Sequence, residues 1–217
     1  MVKDGDAGKQ IRKAAKEACA DFIVVGTHGT SGLLEKTLGT HSWDVIKNSD
    51  IPVLAIPKDA LFTGIENILF ATEYREGELP VINYLARVAK QLKAGITILH
   101  FARYVLPKQF EDEIFGRFKK EVITRVQYKK LSIRLMKNED VAGGLEKYCT
   151  ENQIDWLVMS PEKHLLFERI FFPKSSITKK ISFRTRVPLL AIPDFYSPEQ
   201  VDFWKLFEPD YVINEEF

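Results

Sequence analysis

The stretch Ile51-Pro-Val-Leu-Ala-Ile-Pro57 returns near the other end of the chain as Val187-Pro-Leu-Leu-Ala-Ile-Pro193, an offset of 136 residues. Each run is apolar and of strand length. Working outward, Val2 to Val25 laid on Met136 to Met159 keeps a constant offset of 134. Lys3 then meets Lys137, Asp6 meets Asp140, Lys13 meets Lys147, Glu17 meets Glu151, Asp21 meets Asp155 and Val24 meets Val158. The apolar positions Ile11, Ile23 and Val25 meet Leu145, Leu157 and Met159. Two blocks so long and so evenly spaced mark an internal repeat, with two residues gained between them in the second copy.

The second copy shows what should precede such a block. Asn67-Ile-Leu-Phe-Ala71 reads as a strand, Val81, Leu85, Val88 and Leu92 recur at helical spacing, and Gly95-Ile-Thr-Ile-Leu-His-Phe101 is a second buried strand. Phe110, Ile114, Phe118 and Val122 form another helical stripe, and Leu131 to Leu135 alternates as a third strand. A helix near Val141 to Glu151, a strand Asp155 to Met159, a helix near Ser175 to Ile181 and a strand Pro188 to Ile192 follow. Strands alternating with helices predict an α/β fold, a doubly wound parallel sheet covered on both faces. Glu66 to Leu135, about 70 residues, have no counterpart in the first copy. The expected division is therefore 1–59, the last part of a first domain, 60–194, a complete second domain, and 195–217, an aromatic-rich tail. A half-sheet of two strands should not be stable alone.

Lys and Arg number 31 against 30 Asp and Glu, so a formal charge of +1 provides no general field for nucleic acid or an anionic membrane. With 45% hydrophobic and 28% charged residues the composition is that of a soluble globular protein. No apolar run approaches the ~18 residues a membrane helix needs, and Met1 to Asp6 lacks the features of a signal peptide. The expected location is the cytoplasm. Cys19 and Cys149 stand far apart in helix-like stretches, and are expected to be buried, inert thiols rather than a disulfide or a metal site.

The glycine-rich stretch Gly26-Thr-His-Gly29, continuing to Gly39-Thr40, follows the apolar run Phe22 to Val25. Gly26 and Gly29 allow the backbone after that strand to approach a phosphate closely. Gly39-Thr40 opens the next helix, whose free N–H groups favour an anion and whose Thr40 hydroxyl can cap or bind phosphate. The same glycines can equally serve only as a loop, and His28 can touch phosphate or face solvent. There is no Gly-Lys-Ser/Thr for a P-loop, and Gly26-x2-Gly29-x2-Gly32 is not the dinucleotide spacing.

Gly26-x2-Gly29-x9-Gly39-Thr40 resembles the nucleotide-binding pattern of the universal stress protein family, and Ala20 to Gly29, Pro52 to Pro57 and Ile68-Leu-Phe-Ala-Thr-Glu73 resemble its fourth, fifth and first strands. The resemblance covers residues 1 to 194 and implies an adenine nucleotide alpha hydrolase-like sheet. It implies ATP, with magnesium, as the ligand, and Gly26, Thr27, His28, Gly29, Gly39 and Thr40 as its binding residues. In the family, adenine and ribose are held by an acidic residue after the first strand and by backbone near the second, parts the first copy lacks. The second copy has the reverse defect. It keeps Glu73 where the family usually has Asp, yet Ser160 replaces the first glycine, Pro161 removes an N–H, and Ser175-Ser176 stand where Gly39-Thr40 stand. With Lys163, His164 and Lys174 beside it, this second site is read as degenerate.

No catalytic constellation is recognisable among His28, His41, His100 and His164 or the carboxylates. His100, at the end of an apolar strand, is expected to be a satisfied edge residue, and Trp43 and Trp156 to serve packing. The expected function is nucleotide-linked regulation or stress tolerance; an interaction module that has lost its nucleotide and a slow ATPase are the alternatives. The two proline-flanked strands should pair antiparallel as in the family's dimers, giving a pseudo-dimer within one chain. The strand Phe22 to Val25 would keep a raw edge, predicting a homodimer or larger assembly. The tail, with Phe195, Tyr196, Phe203, Trp204, Phe207, Tyr211 and Phe217, is expected to pack across its own domain or on a partner.

Overall fold

A computed structural model describes residues 5–26, 40–58, 60–74, 77–102, 108–160 and 187–193. The elements run α1 Ala7–Glu17, β1 Ile23–Gly26, α2 Thr40–Asn48, β2 Val53–Ile56, β3 Asn67–Ala71, α3 Glu78–Leu92, β4 Gly95–Ala102, α4 Lys108–Arg125, β5 Leu131–Lys137, α5 Val141–Glu151, β6 Trp156–Met159 and β7 Leu189–Ala191. The expected helix near Ser175 to Ile181 and the tail lie outside the described residues.

All seven strands join one sheet in the order β1-β2-β7-β6-β3-β4-β5. Every neighbouring pair is parallel except β2 and β7, which run antiparallel with Leu54 opposite Leu190. Successive strand residues point to opposite faces, so the sheet carries two cores. Ile68, Phe70, Ile96, Ile98, Val158 and Leu190 pack beneath α3 and α4. Leu69, Ala71, Leu99, Leu157, Leu189 and Val53 pack on the other face with α2 and α5. This is the doubly wound α/β sheet the alternation predicted.

The helices begin where side chains satisfy their first amides. Asp6 caps α1, its Oδ1 accepting from Lys9 N at 2.7 Å, and Asp140 caps α5, its Oδ1 accepting from Gly143 N at 3.1 Å. These are equivalent positions of the repeat. Asp155 joins the strands' starts: its Oδ2 accepts from Glu66 N at 2.7 Å and Asn67 N at 2.8 Å, tying β6 to β3.

Three expectations change. In α4 only Phe118 and Val122 of the predicted stripe are buried, whereas Phe110 and Ile114 are exposed. The face turned to the core runs through Glu111, Phe115, Phe118 and Val122, so in the first two turns it lies one residue round from Phe110 and Ile114. Cys19 is exposed and only Cys149 is buried, burial and nearby Glu146 pushing the Cys149 thiol up to about 12. His100 lies on an interior strand, β4, between β3 and β5.

Candidate functional site at the carboxyl ends of the strands

In the first copy, Gly26 ends β1 and Thr40 begins α2. Ser42, in the first turn of α2, donates its hydroxyl to the Gly26 carbonyl at 2.8 Å. That bond holds the start of the helix against the carboxyl end of the strand, where free helix N–H groups favour an anion. Among the described residues, nothing lies within 4 Å of a Cβ built on Gly26. The axis of α2 is set from behind by α1. Arg12 donates to the Asp44 carbonyl at 3.0 Å and pairs with the Asp44 carboxylate. Gly8 makes this approach possible, since a Cβ there would fall 1.9 Å from Asp44 Oδ2. Of the predicted phosphate residues the structure thus brings together Gly26 and the backbone of Thr40; Thr27, His28, Gly29 and Gly39 lie outside the described residues. Ser42, which the sequence reading missed, is detectable only as a hydroxyl two residues into the helix after the glycine-rich stretch.

In the second copy, the sheet order reverses between β3 and β6, whose neighbours lead away in opposite directions. Open α/β sheets bind ligands at such a point. Glu73 follows β3 and Ser160 follows β6, with Ser160 buried. Lys163, Ser175 and Ser176 lie outside the described residues. The carboxylate that organises this end is one the reading overlooked. Glu78, 1% exposed at the start of α3, receives the Thr72 hydroxyl on one oxygen and Glu73 N, at 3.2 Å, on the other. Its signal in the sequence is weak, an acid in the first turn of a helix.

Tyr74 was also missed. Its backbone is left-handed, φ 62°, and its ring stacks on His100 with centroids 4.0 Å apart and planes 28° apart. Phe118 lies at 4.8 Å and Phe115 at 6.1 Å from the same ring. His100 is fixed by a 2.7 Å hydrogen bond between Nδ1 and the Thr72 carbonyl. Desolvation lowers its pKa below the ordinary 6.5, against the opposing pull of that bond and of Glu111. Burial, with the charges of Glu111 and Glu78, raises the Tyr74 hydroxyl well above the ordinary phenol range.

Among the described residues no group of three or more His, Cys, Asp or Glu is placed to hold a metal ion, and no helix is long and apolar enough to cross a membrane.

The sequence profile of the Universal stress protein family matches residues 1–57. No curated protein matches the chain in sequence. Among solved structures, a universal stress protein from Archaeoglobus fulgidus DSM 4304 superposes with a TM-score of 0.62 at 18% identity, covering 86% of this chain and 66% of that one. A protein of unknown function from Pseudomonas aeruginosa PAO1 superposes with a TM-score of 0.58 at 15% identity, covering 88% and 69%. The chain thus spans about two thirds of the length of these structures. A universal stress protein in complex with cAMP matches at a TM-score of 0.44 and 12% identity, over 61% of this chain and 99% of its own. At these identities the structural likeness is one of fold. Residues 1–57 are thus similar in sequence to the universal stress proteins, and the sheet they enter has the fold of the structures it superposes on.

Proposed function

We propose that the chain binds an adenine nucleotide, ATP with magnesium, at the carboxyl end of β1, and serves a regulatory or stress-tolerance role in the cytoplasm without chemistry of its own. The observation that carries this reading is the Ser42 to Gly26 hydrogen bond of 2.8 Å. It seats the start of α2 beside the end of β1 at Gly26. Phosphates would lie against the backbone of Gly26, Thr27, His28, Gly29, Gly39 and Thr40, where the helix dipole and short glycine backbone favour them. The domain division at about residue 60 belongs to the same reading, with residues 1–59 and 60–194 as two copies of one unit.

The test is isothermal titration with ATP and magnesium against the full chain and Gly26→Val. Because a Cβ at Gly26 meets no atom of the described residues within 4 Å, the variant should fold as wild type and lose binding. Absence of heat for wild type at millimolar ATP would sink the reading and leave an interaction module. Phosphate release that scales with protein through purification would turn it toward a slow ATPase.

Self-association is part of the proposal. β1 stands at the end of the sheet, and Val24, 57% exposed, faces away from the α1 and α2 side. An unpaired edge with an apolar face is a template for pairing. Light scattering should show a dimer or larger species for wild type and a smaller mass for Val24→Lys. A wild-type monomer insensitive to dilution would refute it.

A further inference from the structure

Strands present alternate residues to the two faces of the sheet, and at the first copy's end the two faces fare differently. On the α1 and α2 side one cross-strand row runs Met159, Ala191, Val53, Ile23. It is sealed as far as the end strand: the first three are 1% exposed and Ile23 is 6%. On the opposite side the next row runs Phe70, Val158, Leu190, Leu54, Val24. Phe70, Val158 and Leu190 are fully buried, Leu54 is half-buried, and Val24 is 57% exposed. Standing on an end strand does not account for this, because Ile23 stands on the same strand. The cover stops short on one face only, where Phe22 and Ile56 are half-buried beside Val24 and Leu54. These four side chains make an apolar patch across β1 and β2.

The chain itself passes this patch. β7 runs antiparallel to β2 with Ala191 opposite Val53, so Pro193 leaves the sheet beyond the amino end of β2. A run of 24 residues follows it, outside the described residues. β1 lies only two strand spacings from β7, about 10 Å, a distance that a few extended residues cross. The sequence of that run suits the patch. Ser197-Pro198-Glu199-Gln200 has the composition of a helix start, with a capping box and a proline at the first helical position, and Pro209 is a stop. At helical spacing Phe203, Trp204 and Phe207 share one face, while Glu199, Asp202 and Lys205 share the opposite one. A helix over 198–208 would be about 16 Å long, enough to lie along strands of four residues, about 13 Å.

We infer that residues 198–208 dock their aromatic face on the patch of Phe22, Val24, Leu54 and Ile56, so that the tail of the second copy completes the cover of the first. A segment tethered beside its target acts there at an effective concentration of the order of millimolar, which places it ahead of the same segment from another molecule in dilute solution. The self-association proposed above uses the free backbone edge of β1. Docking of the tail concerns the face beside that edge, and the two stand or fall separately.

The test uses the full chain labelled with fluorotryptophan, whose Trp204 signal is assigned by Trp204→Phe. Comparison of spectra in H2O and D2O reads the exposure of that ring. Trp204 should be shielded, its shielding should survive tenfold dilution, and it should become exposed in Val24→Asp while the Trp43 and Trp156 signals stay in place. The reciprocal variant, Phe203→Ser with Phe207→Ser, should speed amide exchange in Phe22 to Val25 at least tenfold and leave β4 unchanged. A Trp204 exposed in wild type overturns the inference. A Trp204 that is shielded but unmoved by Val24→Asp sits elsewhere and overturns it too, as does unchanged exchange of β1 in the double variant. Shielding lost on dilution assigns the patch to the tail of a second copy and overturns docking within one chain. A dilution-insensitive monomer with Trp204 shielded refutes only the proposed self-association, and a larger assembly with Trp204 exposed refutes only this inference.

Discussion

Asp21 and Asp155 hold the same place in the two copies, just before the fourth-type strand, yet they meet different surroundings. Asp155 finds the start of β3 beside it and accepts two of its backbone amides, from Glu66 and Asn67. Asp21 precedes β1, the end strand of the sheet, and no strand stands on its outer side among the described residues. The same contrast runs through both copies. β6 is buried at every residue, while β1 exposes Val24 and Gly26. One segment, repeated, is an interior wall in one copy and an open edge in the other. What a repeated block does is thus set by its neighbours as much as by its residues.

The comparison depends on the seam where the copies meet, and breaking that seam should have the largest effect. Leu190 is fully buried opposite Leu54. Leu190→Ala should cost about 2–5 kcal/mol from lost burial and a residual cavity, seen as a lower urea midpoint. An effect below about 1 kcal/mol would mean the seam contributes little and the copies stand separately. The paired aspartates sharpen the contrast at smaller scale. Asp155→Ala orphans two backbone amides and should cost about 1–3 kcal/mol, whereas Asp21→Ala should stay within about 0.5 kcal/mol. Equal costs would show that Asp21 also tethers a strand, and would contradict the open edge.

The smallest effect concerns pH and exists only in the second copy. The folded pKa of His100 lies below 6.5, so the unfolded chain binds a proton there before the folded chain does. Stability from this group is present above the ordinary imidazole pKa and is lost as pH falls below it. The urea midpoint of wild type should therefore drop between about pH 7 and pH 5.5, and part of that drop should be missing in His100→Gln. Identical pH profiles for the two proteins would show that His100 takes up its proton equally in both states.

Much of this was legible in one dimension. Repetition at offsets of 134 and 136 is written in the sequence itself, and alternating apolar periods placed β3 to β7 and the helices α3, α4 and α5. Asp6 and Asp140 signalled helix starts because a cap acts on amides two or three residues away. The near-identical proline-flanked runs pointed to two strands able to pair with each other, and they do so antiparallel. The places of Gly26, Glu73 and Ser160 in the fold were legible too, because each stands at or just after the end of a recognisable strand.

What the sequence by itself determined is therefore whatever is encoded within a few residues or by self-similarity: the repeat, the class of sheet, the helix caps and the strand ends. Tertiary structure alone decided which side chains meet. Tyr74 reaches His100 and Phe118 only because β3 and β4 are adjacent and α4 lies over them. Glu78 becomes a buried anchor only because α3 starts beneath the end of β3. Phe110 and Ile114 carry the period of a buried face and are nonetheless exposed. The physical reason is common to all three: periodicity records which residues share a face, but burial and hydrogen bonding depend on what the fold sets against that face, and that partner lies distant in the chain.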